Sequence, residues 1–108
     1  MRLITLHTTV GTEEDAKTLA HAVVQNRLAA CVQIEVIQSV YRWKGDIQQE
    51  QEWRLVCKTT PTLSAELMAF VQAHHPYELP AIYTVEVLDA SPAYAEWVDE
   101  ETWGDHHK

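Results

Sequence analysis

The sequence predicts an α+β fold with one antiparallel sheet, and three observations support that prediction. Two long strand-like runs, from about Ala30 to Trp43 and from Asp46 to Thr59, meet at a glycine-containing turn. One shorter strand-like run precedes them and another follows. Two stretches with apolar residues at helical spacing separate the runs, and a third such stretch closes the chain. The order β-α-β-β-α-β plus a C-terminal helix is typical of the ferredoxin-like arrangement, in which two helices cover one face of a four-stranded sheet.

The first strand and the first helix have clear local signals. Residues from Leu3 to Val10 are rich in β-branched side chains, which favour a strand. Thr12 is predicted to cap the helix, because a threonine oxygen can accept a free backbone N–H of the first turn. Three acidic residues, 13–15, follow where the helix dipole favours negative charge. Apolar positions then recur at helical spacing as far as Leu28, so we expect the helix to end between Asn26 and Leu28.

The two central runs predict a hairpin that is too long for its own domain. At about 3.3 Å per residue, each strand would be roughly 40 Å long. A compact domain of about 100 residues has a radius of gyration near 13 Å, so as a sphere it measures only about 34 Å across. We expect the tip to project and another copy of the chain to cover the exposed edges. Gly45 should supply the positive φ of the turn. The apolar alternation slips at Val36 and Ile37, which predicts a β-bulge.

The second half of the chain continues the pattern. In the second long strand, Trp53, Leu55 and Cys57 point to one face and charged residues point to the other. Thr60 is predicted to cap the second helix, with a proline at its first position. Pro76 is predicted to end that helix, because proline cannot continue one.

The C-terminal part of the chain predicts one more strand and one more helix. Ala81 to Leu88 favours the fourth strand, and Ser91 with the proline after it favours the cap of a short third helix. Residues 104–108 are expected to form a loose tail. At 108 residues we expect a single domain over residues 1–108.

Composition limits the classes of partner. Sixteen acidic residues against eight lysines and arginines give a formal charge of −8, which disfavours nucleic acid and anionic lipid as partners. No apolar run approaches the roughly 20 residues of a membrane span, and no N-terminal signal is visible. Cys31 and Cys57 lie in strand-like runs without a CxxC spacing, which favours buried, reduced thiols. We therefore expect a cytoplasmic protein with neither a nucleic-acid nor a membrane partner.

Several motifs occur in order along nearly the whole chain: Leu28-Ala29-Ala30-Cys31-Val32, Ser39-Val40-Tyr41-Arg42-Trp43-Lys44-Gly45, Glu52 with Lys58-Thr59, His74-His75-Pro76-Tyr77-Glu78-Leu79-Pro80, and Tyr94 with Trp97. Together they resemble the CutA divalent-cation tolerance proteins. The resemblance implies a ferredoxin-like subunit, a tight homotrimer built by the long hairpins, and a likeness to PII-type signalling proteins. It also implies binding of divalent cations, copper above all. It implies neither an established enzymatic activity nor an organic cofactor.

The resemblance names candidate metal ligands, with one departure from the family pattern. Some members carry a cysteine late in the first strand that is proposed to bind copper together with the two histidines of the His-His-Pro-Tyr segment. Here Thr8 occupies that position, with His7 beside it. Without a thiolate, a soft Cu(I) site loses its strongest ligand, whereas His7, His74 and His75 remain candidate imidazole ligands for Cu(II) or another divalent cation.

The histidine pair also has a purely structural interpretation. Adjacent residues at a helix end point about 100° apart, so two imidazoles on one metal would need an irregular backbone. In the alternative interpretation, one histidine caps the helix C-terminus while the other is exposed or hydrogen-bonded.

A second candidate site combines aromatic and charged residues. Tyr41, Trp43, Glu52 and Lys58 lie on the paired long strands, and Tyr77 lies just past the second helix. These residues could line an inter-subunit cleft for a small anionic ligand or metabolite. Alternatively they could form an interface cluster in which Glu52 and Lys58 pair across subunits.

Three functions fit these observations. The first is a non-enzymatic homotrimer of divalent-cation (copper) tolerance that binds metal ions. The second is a PII-like signalling trimer that binds a small molecule in its inter-subunit clefts. The third is a structural trimeric scaffold that anchors partner proteins. The sequence contains no Gly-x-Ser-x-Gly, no phosphate loop and no His-Glu-x-x-His, so we predict that the protein is not an enzyme.

Overall fold

A computed structural model of the chain describes residues 2–102. In chain order its elements are β1 (Leu3–Val10), α1 (Glu13–Gln25), β2 (Cys31–Trp43), β3 (Asp46–Thr59), a 3-10 turn (Pro61–Leu63), α2 (Ser64–His74), β4 (Ile82–Val87) and α3 (Pro92–Glu100). The predicted α+β class and the predicted order of elements are confirmed. The predicted loose tail, 104–108, lies outside the described residues. Within residues 2–102, no helix combines the length and the apolar character that crossing a bilayer requires.

The four strands form one sheet in the order β2-β3-β1-β4, and each neighbouring pair is antiparallel. This is the ferredoxin-like order, with the second and fourth strands at the edges. The helices α1 and α2 pack on one face of the sheet. Their buried residues Ala16, Leu19, Val23, Leu67 and Val71 form one cluster with Leu6 and Val10 of β1 and with Leu55 and Cys57 of β3. The opposite face, which we call the open face, carries the remaining side chains of each strand.

The β2–β3 hairpin pairs without interruption. Its register runs from Cys31 opposite Lys58 to Trp43 opposite Asp46, with no unpaired residue. The bulge predicted at Val36 and Ile37 is therefore wrong. The two adjacent apolar residues lie on opposite faces of the hairpin. The apolar pattern slips without a bulge because both faces of the hairpin carry apolar side chains where no helix covers it. Val36, for example, stays 60% exposed.

The hairpin sets the shape of the molecule. The principal extents are 46 × 26 × 21 Å, so only the longest axis can hold strands of 13 and 14 residues. The predicted projection is confirmed. At the tip, Gly45 has φ +88° as predicted, and Lys44 also has a positive φ of 49°. Positive φ at both central residues is typical of the type I′ turn, which matches the twist of the strands.

The helix caps follow the predictions only in part. The Thr12 hydroxyl accepts the Asp15 backbone N–H at 3.0 Å, as predicted. Ser91 holds the N-cap position of α3, with a proline in the first turn, as predicted, whereas Thr60 holds the N-cap position of the 3-10 turn and not of α2; neither side chain makes a cap hydrogen bond. A 3-10 turn separates Thr60 from α2, and the backbone carbonyl of Ser91, not its hydroxyl, accepts the Ala95 N–H.

The two cysteines are free thiols with different surroundings. Cys57 is fully buried against the helices, and burial raises the pKa of its thiol to about 12. Cys31 is only half-buried, because its place opposite Lys58 puts it on the open face of the sheet. The prediction that both thiols are buried is therefore confirmed for Cys57 and wrong for Cys31.

Candidate functional site

A cavity of about 1060 Å³ lies on the open face, between the outer part of the hairpin and the segment 76–81. We call it the hairpin cleft. Its floor is built by residues that strand alternation places on the open face, and its far wall is built by the segment between α2 and β4. The lining includes Tyr41, Trp43, Glu50, Glu52, Arg54, Tyr77 and Tyr83.

The structure brings together four of the five residues predicted for a ligand cleft or interface cluster. Tyr41, Trp43, Glu52 and Tyr77 all line the hairpin cleft. Lys58 does not, because it lies six residues from Glu52 on the same strand, which corresponds to about 20 Å. It borders a separate cavity of about 250 Å³ near the start of α3. Within one chain Lys58 thus lies apart from the other four residues, and its place in an inter-subunit cleft, or its pairing with Glu52 across subunits, stays a prediction.

The wall and the floor of the cleft are joined by a hydrogen bond. The Tyr77 hydroxyl donates to the Glu52 carboxylate at 2.9 Å, and Glu52 is only 8% exposed. Burial, together with this carboxylate, raises the pKa of Tyr77 above its ordinary value, so the phenol stays protonated and can donate. A Cβ at Gly11 would lie 3.1 Å from the Tyr77 hydroxyl oxygen, so a larger residue there would require the Tyr77 side chain to shift by a few tenths of an ångström.

A second tyrosine–carboxylate pair lies beside the first. The Tyr41 hydroxyl donates to the Glu50 carboxylate. Glu50 and Glu52 are two residues apart on β3, so their side chains lie on the same face. The cleft therefore contains two neighbouring carboxylates, each of which accepts a hydrogen bond from a tyrosine.

Glu50, Arg54 and Tyr83 are among the cleft residues that were not predicted as site residues. For Glu50 and Arg54 the signal was available, because both share the strand face of Glu52 at two-residue spacing. For Tyr83 it was not, since its place depends on the β1–β4 register, in which it lies opposite His7. Arg54 makes a 3.1 Å ion pair with Glu35 across the hairpin.

Both ring nitrogens of His75 make hydrogen bonds. Nδ1 accepts the Tyr77 backbone N–H at 3.0 Å, and Nε2 lies 2.9 Å from the Thr9 carbonyl oxygen. Because an amide N–H can only donate, Nδ1 is the acceptor and Nε2 carries the proton. Burial lowers the pKa of His75, and the Thr9 carbonyl and the charges of Asp15 and Glu52 oppose that shift in part. The imidazole is thus held neutral as a link between β1 and the segment after α2.

His74 points elsewhere. Its Nδ1 lies 2.8 Å from the Phe70 carbonyl oxygen in the last turn of α2, and its ring stacks on the Phe70 ring at 4.1 Å. The adjacent histidines therefore make the contacts that the structural interpretation of the pair expected, one at the helix C-terminus and one across to the sheet.

His7 lies on the open face behind the cleft. Its Nε2 is 2.8 Å from the Thr5 hydroxyl, and its ring stacks on Tyr83 with centroids 5.1 Å apart. Burial, followed by the charge of Arg54, lowers its pKa. Within residues 2–102, no three histidine, cysteine, aspartate or glutamate side chains are grouped so that they could hold a metal ion. One chain thus does not assemble His7 and the histidine pair into a common metal site.

The whole arrangement has a counterpart in known proteins. The family model of the CutA1 divalent ion tolerance protein matches residues 4–101. The chain belongs to the CutA1 family. The matched residues include the hairpin, the histidine pair and every residue of the cleft.

Individual relatives agree in sequence and in fold. The divalent-cation tolerance protein CutA of Thermus thermophilus is 41% identical over 95 residues, which cover 87% of this chain and 92% of that protein. The chloroplastic protein CutA of Arabidopsis thaliana is 38% identical over 100 residues, covering 92% of this chain but 55% of the plant protein. The structure of CutA from Synechococcus elongatus has a TM-score of 0.90 and 42% identity, and the alignment covers 93% of this chain and 89% of that one.

Proposed function

We propose that this CutA1 protein is a non-enzymatic, cytoplasmic homotrimer that takes part in divalent-cation tolerance by binding metal ions, Cu(II) among them. The observation that carries the proposal is the family match over residues 4–101. Relatives at about 40% identity bear the name divalent-cation tolerance protein. Imidazole is a suitable ligand for Cu(II), and the chain has three histidines near the cleft end of the sheet.

The hydrogen bonds of these three histidines indicate which ring nitrogens are available to bind a metal ion. His75 uses both nitrogens, so a metal could bind it only after a bond to Thr9 or Tyr77 breaks. His74 uses only Nδ1 within the described residues, and its exposed ring leaves Nε2 available. His7 likewise leaves Nδ1 available. We therefore propose His74 as the principal ligand, with the remaining ligands supplied by another subunit or by water.

Calorimetric titration of Cu(II) and Zn(II) tests the metal proposal. The titrated protein should carry His106→Ala and His107→Ala, because two tail histidines would bind metal on their own. We expect His74→Ala to weaken Cu(II) binding by at least about tenfold, as loss of a ligand would. His21→Ala, which removes an exposed histidine on α1, serves as the matched control. Equal affinities in the His74 and His21 variants would contradict the proposal.

Assembly into a trimer is supported by surfaces that one chain leaves uncovered. The hairpin carries Val36, Val40 and Ile47 at 60%, 65% and 69% exposure. Both edge strands of the sheet present unpaired backbone groups, which proteins usually cover. A cytoplasmic location is supported by the two free thiols, which fit a reducing compartment.

The size of the hairpin cleft favours a second function, namely binding of a small molecule as in a PII-like signalling trimer. A volume of about 1060 Å³ is at the upper end of the range typical of small-molecule sites. Thermal unfolding in the presence of nucleotides, organic acids and amines tests this function. A ligand-specific rise in the midpoint that Trp43→Leu abolishes would support it, and no shift with any compound would count against it.

A further inference from the structure

The walls of the hairpin cleft are aromatic. Tyr41, Trp43, Tyr77 and Tyr83 contribute rings from two strands and from the segment after α2, and each ring is partly exposed. The face of an aromatic ring carries partial negative charge, so it attracts cations within about 6 Å of its centre. Four such rings around one cavity favour a cationic ligand over an anionic one.

The charges in the cleft point the same way. Glu50 and Glu52 each accept one hydrogen bond from a tyrosine, and no other hydrogen bond reaches either carboxylate from residues 2–102. An ionised carboxylate has about four acceptor positions, so both retain capacity for a donor. Arg54, the one basic residue of the lining, is already paired with Glu35. Among the described residues, the lining thus holds the carboxylates of Glu50, Glu52 and Glu78 against a single guanidinium, so its negative charge exceeds its positive charge.

The chain itself places an ammonium group at the edge of this cavity. The Lys44 Nζ lies 5.6 Å from the centre of the Trp43 ring. A primary ammonium thus already occupies one aromatic face that borders the cleft, at the distance typical of a cation–π contact.

We propose that the hairpin cleft binds an organic cation with an ammonium group, held by the carboxylates of Glu50 and Glu52 and by the rings of Trp43 and its aromatic neighbours. The inference rests on the proposal that this cleft is a small-molecule site, and it replaces the anionic ligand predicted from the sequence. A metal ion fits less well, because the described residues do not group three or more metal-binding side chains. An ammonium ion needs only one carboxylate and an aromatic face.

The test follows the indole N–H signals of the protein by NMR during titration, in phosphate buffer. The probes are methylammonium chloride and tetramethylammonium chloride, with sodium chloride at equal concentration and citrate as comparisons. We expect both ammonium ions, but neither sodium nor citrate, to shift the Trp43 signal saturably. Trp43→Leu identifies that signal by its absence.

Single substitutions then measure how much each carboxylate and Lys44 affect methylammonium binding. Glu50→Gln and Glu52→Gln should each weaken methylammonium binding by about tenfold, as loss of a charge-assisted hydrogen bond would. Lys44→Gln should tighten binding, because it removes the chain's own ammonium from the ring of Trp43. Glu66→Gln, which removes the same charge from an exposed position on α2, should leave binding unchanged. Size-exclusion elution at the wild-type volume shows that each variant assembles normally.

Two outcomes overturn the inference, and they differ in what they say about the cleft. If citrate shifts the Trp43 signal and the ammonium ions do not, the cleft is a ligand site but its ligand is not a cation. If no probe gives a saturable shift, the small-molecule function of the cleft fails as well. Ammonium binding that is equal in the wild type, Glu50→Gln and Glu66→Gln would reflect the overall negative charge and would also overturn the proposal.

Discussion

At the scale of single residues, the hydrogen bond from Tyr77 to Glu52 fixes the segment after α2 to the sheet. Its acceptor is 8% exposed, and an ionised carboxylate that loses a donor in such a place keeps its desolvation cost without compensation. We expect Tyr77→Phe to lower the free energy of unfolding by about 1–3 kcal/mol. Denaturant unfolding at a fixed protomer concentration measures this loss.

A matched variant separates the hydrogen bond from the ring. The Tyr94 ring lies tilted against the Trp97 ring, with centroids 5.9 Å apart, and its hydroxyl has no hydrogen-bond partner within residues 2–102. Tyr94→Phe should therefore change stability by less than about 0.5 kcal/mol. An equal loss in the Tyr77 and Tyr94 variants would show that the bond to Glu52 contributes nothing of its own.

His75 gives the protein a defined dependence on pH. Its folded pKa lies below the ordinary value of 6.5, so between the two values the unfolded chain binds more protons than the folded chain. The stabilising contribution of neutral His75 is complete above pH 6.5 and is lost as the pH falls from there toward the folded pKa. Protonation would also remove the acceptor for the Tyr77 N–H.

Unfolding measured from pH 8 to pH 5 checks this dependence. We expect the wild type to lose stability over that range more steeply than His75→Gln, which cannot titrate. His7 is shifted in the same direction and for the same first cause, so His7→Gln should remove a separate part of the slope. A His75→Gln slope that matches the wild type would contradict the assignment.

Four residues of the cleft could be predicted from the sequence because they stand in motifs of the CutA family, and strand alternation could have added Glu50. Tyr83 could not be predicted, since its neighbour His7 is set by a register between strands that are about 75 residues apart, and no local pattern encodes that register. The distance of Lys58 from Glu52 within one chain could also be predicted, because six residues of a strand at about 3.3 Å each correspond to about 20 Å.

At the scale of elements, the turn of the hairpin depends on two residues with positive φ. Gly45 has φ +88°, a conformation that costs an L-residue about 1–2 kcal/mol, and a Cβ there would meet no atom within 4 Å. Gly45→Ala should therefore lower the free energy of unfolding by about that amount through backbone strain alone. Denaturant unfolding beside the wild type measures the difference.

A second substitution tests the same turn in the opposite direction. Lys44 has φ 49°, and asparagine tolerates this region better than lysine does. Lys44→Asn should then raise stability, since Asn-Gly is the preferred pair for a type I′ turn. If Gly45→Ala were neutral while Lys44→Asn were destabilising, the turn would not have this geometry in solution.

The boundaries of the elements show where sequence patterns stop being sufficient. The limits of β1 and of β3 were predicted correctly, because runs of β-branched and alternating residues mark them. Ser91 holds the N-cap position of α3 as predicted, but its hydroxyl makes no cap hydrogen bond, because such a bond depends on the position of the hydroxyl relative to one N–H. The start of α2 differs from the prediction at Thr60. A single 3-10 turn between Thr60 and α2 is enough to separate them.

At the scale of the whole molecule, the order of elements was enough to predict the fold class. It was not enough to predict which side chains of the surface remain exposed in a single chain. Val36, Val40 and Ile47 form part of an apolar surface on the hairpin that the two helices are too short to reach. Such a surface is usually buried in an assembly. The sequence shows that the hairpin is too long for one domain, and only the structure shows which of its side chains remain exposed.

Association and folding should therefore be linked in this CutA1 protein. For a trimer that unfolds to three chains, a hundredfold dilution lowers the apparent stability by about 5 kcal/mol per trimer, which is twice RT ln 100. We expect the midpoint of thermal unfolding to fall by several degrees over that dilution, while sedimentation before heating shows one species of three chains. Val40→Lys, which places a charge on the exposed hairpin surface without touching the core, should lower the midpoint further at the lowest concentration. A midpoint that stays constant across the dilution series would mean that each chain folds independently of the others, and the apolar surface of the hairpin would then need a different partner.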